Sequence, residues 1–197
     1  MMPAQRSTFA ATVVCTALGN AAIALAIAAP AHAQPTDRPQ LPEWVQLAGE
    51  VRDRIEGFTG SGFTPGRDDA YNLTRLKLDV TSRPARLVTF KIQLQDARPF
   101  GKDVGPTAAP FKDVLNLHLA YVDIGDPPVG TFGLRIGRQE LSFGDERLIG
   151  TAGWLNAPRA FDAARATIRR PGVQIDAFGA SVVRVADAVF ADSSALW

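Results

Sequence analysis

"GLRIGRQELSFGDERLIG", Gly133 to Gly150, is the stretch on which the reading of the fold turns. Its first half alternates: Leu134 and Ile136, with Phe132 just before them, fall on one parity, and Gly133, Arg135, Gly137 and Gln139 on the other. A period of two makes this a β-strand with one wholly apolar face and one face carrying guanidinium and amide groups. From Glu140 the chain runs into a charged loop with Gly144, Asp145, Glu146 and Arg147. What covers the apolar face decides the class of protein.

The same contrast recurs along the chain. In 45–56, Val45, Leu47, Val51 and Ile55 oppose Glu50, Arg52, Arg54 and Glu56; in 72–81, Leu76, Leu78 and Val80 oppose Arg75, Lys77 and Asp79. In 87–96, Val88, Phe90, Ile92 and Leu94 oppose Thr89, Lys91, Gln93 and Gln95. Residues 114–124 set Leu115, Leu117, Leu119 and Tyr121 against Asn116, His118 and Ala120, and 163–169 set Ala164, Ala166 and Ile168 against Arg165, Thr167 and Arg169. With 131–139, and with 173–183 as a less regular seventh, the chain is all-β, and no segment after the leader carries a helical apolar period. Connections alternate as well. "SRPA", "GDPPVG" and "RPG" are tight Pro/Gly turns, whereas the intervening links are long. Apolar outside, polar lumen, short turns at one end and long loops at the other describe a transmembrane antiparallel β-barrel. A soluble β-barrel or sandwich, with the apolar face turned inward, is the alternative.

The N-terminus fixes the compartment. Arg6 is the only charge before Asp37, an apolar run follows from Phe9 to Ala29, and Ala31 and Ala33 form an A-x-A site, so residues 1–33 read as a secretory signal peptide and 34–42 as a polar leader. Residues 43–197 are then the barrel part. Cys15 is the only cysteine and lies in the signal peptide, leaving the mature part no disulfide framework and no thiolate metal site. The sequence has 21 Lys+Arg and 20 Asp+Glu, and loss of Arg6 makes the mature part neutral, which gives no polybasic patch for nucleic acid.

"YNLTRLKLDV", "VTFKIQLQDARPFG", "LNLHLAYVDI", "FGLRIGRQELSFGDERLIG" and "WLNAPRAFDAARATI" together resemble the alginate export family of bacterial outer-membrane barrels. The most specific part is "GRQEL" followed by "GDERLIG" and "WLN", which gives Gly137, Arg138, Gln139, Glu140, Gly144, Asp145, Arg147 and Trp154 as motif residues. The resemblance implies a large monomeric barrel, inserted in the outer membrane by the barrel-assembly machinery, that conducts anionic polysaccharide through an arginine-lined lumen. About seven strands are fewer than such a barrel needs, so the chain reads as the N-terminal fragment of a longer one; "ADSSALW", ending at Trp197, lacks the alternation of a closing strand.

On this parity the lumen receives Arg52, Arg54, Arg75, Lys77, Lys91, Arg135, Arg165 and Arg169 against Glu50, Glu56 and Asp79, with Asp176 less securely placed. Such a basic path suits anionic oligosaccharide, since a guanidinium fork matches a carboxylate. General diffusion, with these cations paired to neighbouring acids, is the competing reading. Arg138 shares parity with the lipid stripe and is expected to pair with an acid of the following loop. Gly144 is expected to shape that loop, and Trp154 to anchor at the interface or to narrow the lumen. No phosphate loop, dinucleotide fingerprint or zinc spacing is present, so no enzyme, cofactor or metal follows; the acid pairs Asp68/Asp69 and Asp145/Glu146 lack calcium-loop spacing.

Overall fold

A computed structural model describes residues 41–126, 131–186 and 189–194. The signal segment, most of the leader, Trp197 and part of the "GDPPVG" turn lie outside them. The alternating segments form β1 (Val45–Phe58), β2 (Asp69–Ala85), β3 (Val88–Phe100), β4 (Asp113–Gly125), β5 (Phe132–Gln139), β6 (Phe161–Arg170) and β7 (Val173–Val182), with one turn of 3-10 helix at Ser61–Phe63. Each strand pairs antiparallel with the next in a single sheet of order β1-β2-β3-β4-β5-β6-β7. The chain is all-β, as the alternation requires. No helix among the described residues is long and apolar enough to cross a membrane.

The faces are inverted relative to a water-soluble sheet. On β2, Arg75 and Lys77 are 7% and 8% exposed while Leu76 and Leu78, alternating with them, are 41% and 49% exposed. Gln93, Gln95, Asn116, His118, Gln139 and Thr167 are buried on the same inner side; Phe90, Ile92, Phe132, Ile136 and Ile168 stand on the outer one. A soluble sandwich would bury the second set, so that alternative fails on which face is covered. Apolar side chains exposed in a continuous stripe call for a hydrocarbon environment. Toward the ends that carry the long loops the outer face turns polar: Asn72 bonds Asp53 at 3.1 Å, Arg98 pairs with Asp96 at 2.7 Å, and Arg138 with Asp162 at 2.9 Å. That band bounds the apolar stripe at one edge.

β4 departs from the alternation read in the sequence. Gln93 pairs with Leu119 but Leu94 with Leu117, so β4 carries an extra residue at His118, and a second irregularity lies by Leu115, whose φ is 42°. A bulge of this kind moves the following residues to the opposite face. His118 and Leu119 are both buried, and Tyr121 and Asp123 point inward instead of joining the lipid stripe with Leu117. The correction has a physical reason: strict alternation would put the Asp123 carboxylate against lipid, whereas the bulge sets it beside Arg135. Opposite it, Gly137 has φ 120°, and a Cβ there would overlap the Ala120 carbonyl and Tyr121, so only glycine lets β4 and β5 approach so closely.

Short turns hold one end. Pro171 and Gly172, the latter at φ 76°, close β6 to β7, and the left-handed conformation is one that glycine adopts without strain. The β2–β3 turn is tied on both flanks, by Arg83 N–H to the Trp44 carbonyl at 2.7 Å and Gly125 N–H to the Leu87 carbonyl at 2.9 Å.

Candidate functional site: the basic inner face and its loop

All eight basic residues assigned to the interior by parity lie on the inner face, together with carboxylates the sequence had not placed there. Six are ion-paired: Arg54 with Glu56 (2.6 Å), Arg75 with Glu50 (2.7 Å), Lys77 with Glu140 (3.7 Å), Lys91 with Asp79 (2.9 Å), Arg135 with Asp123 (2.7 Å) and Arg165 with Asp176 (2.8 Å). Arg169 donates to Gln174 at 2.8 Å. The Arg135–Asp123 pair is bidentate, and its guanidinium lies 4.0 Å from the Tyr121 ring centroid. Asp176 also accepts from Thr167 at 2.6 Å. Asp123 became legible only once the bulge was known, whereas Asp176, placed there less securely by parity, is set opposite Thr167 by the β6–β7 register.

Arg52 differs from the rest, because its donors go to backbone. It bonds the carbonyls of Gly153 (3.1 Å), Trp154 (3.3 Å) and Leu155 (2.9 Å), all in the loop between β5 and β6. Arg54 bonds the Trp154 carbonyl at 2.6 Å with its guanidinium 4.0 Å from the indole, and Arg75 bonds the Leu155 carbonyl at 3.2 Å. β1 and β5 are four places apart in the sheet, about 19 Å if the sheet were flat at ordinary strand spacing. The loop between β5 and β6 therefore reaches back over the inner face as far as the first strand.

The other limb of the same loop reaches the opposite edge. Phe143 stacks on Phe178 of β7 with centroids 4.8 Å apart, and Arg165 sits 4.9 Å from the Phe143 ring. Residues 140–160 thus cross the inner face from β7 to β1. Local chemistry shapes the path: Gly144 at φ 58° allows the turn closed by Glu146 N–H to the Phe143 carbonyl, and Ser142 donates to Glu146 at 2.8 Å. Asn156, 1% exposed, clamps the far limb by donating to the Thr74 (3.1 Å) and Phe111 (2.9 Å) carbonyls. Leu141, Phe161 and Ala163 form a small apolar cluster at its root.

The motif residues take distinct places. Gln139 donates to the Ala163 carbonyl at 3.0 Å and locks β5 to β6. Glu140 receives His118 at 3.3 Å; this bond first, and then the nearby Lys77 charge, holds its carboxyl below the usual range against the opposing effect of burial. Arg138 is paired, but with Asp162 on β6 and not with an acid of the following loop, because antiparallel register sets the two residues directly opposite. Asp145 and Arg147 stand 3.8 Å apart in solvent. Trp154 lies on the inner face, over Arg54. Asp68 and Asp69 serve loop geometry: Asp68 accepts from Gly60 N–H at 2.8 Å and Asp69 from Val104 N–H at 3.0 Å. Sequence reading missed Asn156; "WLN" marked the place without revealing the role.

An antiparallel sheet with lipid-seeking residues outside, charged residues inside and a loop laid across the hollow is the arrangement of an outer-membrane transport barrel. The family model described as Alginate export matches residues 43–195, and the chain belongs to that family, whose members are outer-membrane transport proteins. No curated protein and no solved structure matches it.

Proposed function

We propose that the chain passes an anionic oligo- or polysaccharide of alginate type across the outer membrane, with the Arg52, Arg54 and Arg75 cluster as the selective contact. The observation that carries this reading is that Arg52 is satisfied by neutral carbonyls of a loop and by no carboxylate ion pair among the described residues, while the Nε hydrogens of all three arginines have no protein acceptor. A substrate carboxylate can replace a carbonyl at such a site with gain, since a charge-assisted bond is about twice as strong as a neutral one. Sequential exchange along the face gives several weak sites, which conduction needs. The barrel is a monomer set in the membrane by the assembly machinery, after cleavage behind Ala33. General diffusion is the second reading, favoured by the six neutralising ion pairs on the same face.

Planar-bilayer recording of the protein purified from outer membranes tests the choice. Anion preference and block by oligouronate are expected, and Arg52→Gln should weaken that block by about fivefold, the worth of roughly 1 kcal/mol when a charge-assisted bond becomes a neutral one. Equal block by a neutral oligosaccharide of the same length would favour general diffusion.

A further inference from the structure

At the short-turn end of the inner face lies a second basic region with a different character. It is a recess of about 550 Å³ whose walls include Arg83 near the end of β2, Arg86 in the turn that follows, Lys91, Asp123, Asp126 and Arg135. Lys91 and Arg135 are already committed to Asp79 and Asp123. Arg83 and Arg86 make no side-chain hydrogen bond or ion pair among the described residues, and both are exposed. They flank Pro84, and backbone hydrogen bonds to Trp44 and from Gly125 anchor their turn on both sides. Two guanidinium groups without a partner among the described residues are therefore carried on an anchored backbone beside a hollow that opens on the inner face.

We propose that this recess is a loading site for the carboxylates of an acidic sugar chain, with Arg83 and Arg86 as its ligating groups; it rests on the transport reading above. Paired cations contribute little field beyond their partner, whereas two uncommitted ones in a concavity raise the local anion concentration and the capture rate. The recess lies on the same face as the Arg52 cluster, and Lys91 and Lys77 stand between the two on adjoining strands. A chain captured at the turns can so feed toward the loop-covered cluster without leaving the basic face.

The test adds oligouronate to one side of a planar bilayer at a time, using protein purified from outer membranes, and measures the association rate of current block. Arg83→Glu with Arg86→Glu should slow block from the short-turn side by about tenfold at low salt, with the loss fading as ionic strength rises, and leave the long-loop side unchanged. Arg83→Gln with Arg86→Gln, which keeps the turn but removes the charge, should give a smaller loss in the same direction and stands in if the reversal impairs insertion. Unchanged rates, or equal losses from both sides, would overturn the loading site while leaving transport intact. Absence of block in the unmodified protein from either side would overturn the transport reading and the site with it.

Discussion

The arginines at the two ends of the inner face are chemically identical and physically unlike. Near the long loops, Arg52, Arg54 and Arg75 are gripped by the carbonyls of residues 153–155; near the short turns, the Arg83 and Arg86 guanidinium groups meet no acceptor among the described residues. The difference comes from the connections. A long link can fold back over the face and present backbone carbonyls, while a tight turn has no spare chain to do so. One end therefore carries cations whose release requires a loop to yield, and the other carries cations available at once. The state of an arginine on this face follows from the loop above it more than from its own strand.

The comparison depends first on both groups sharing the inner face. Leu76→Arg should cost about 2 to 4 kcal/mol if that site lies near the bilayer midplane, and should reduce the folded, membrane-inserted fraction. Arg52→Gln on the adjoining strand should leave insertion intact. Reversal of those two results would swap the faces and dissolve the contrast.

Next in size is the grip itself. Asn156→Ala leaves the Thr74 and Phe111 carbonyls without their donor at a buried place, which should loosen the loop by about 1 to 3 kcal/mol. Single-channel recording should then show larger or more frequent openings, with the association rate of block from the short-turn side unchanged. A change confined to that side would mean the loop governs the wrong end. Trp154→Ala removes the ring over Arg54, a contact of about 0.5 to 1 kcal/mol at a partly exposed site, so the same readout should move in the same direction but less. Smallest of all is Asp145→Asn, where both partners of the pair with Arg147 are solvated; neither thermal stability nor conductance should change measurably.

Much of this was legible in residue order. Arg75, Leu76 and Lys77 announce their faces because successive side chains on a strand point to opposite sides, whatever the strand pairs with. Asp123 could not be assigned that way. Its face depends on one extra residue at His118, and bulges follow from the pairing of two strands, not from either alone. The partner of Arg138 was misjudged for a similar reason: the nearest acids along the chain are in the loop, yet register brings Asp162 opposite.

The sequence by itself determined the strands, the sign of their faces except on β4 beyond its bulge, the alternation of turns with long loops and the family. Each is a local property, written in a period of two and in where proline and glycine interrupt it. Only the tertiary structure decided that residues 140–160 cross the inner face from Phe178 to Arg54, that Asn156 pins them, and that, among the described residues, most interior cations have an acidic partner while Arg83 and Arg86 have none. Those facts depend on distances between groups tens of residues apart, which curvature and register set and alternation does not encode.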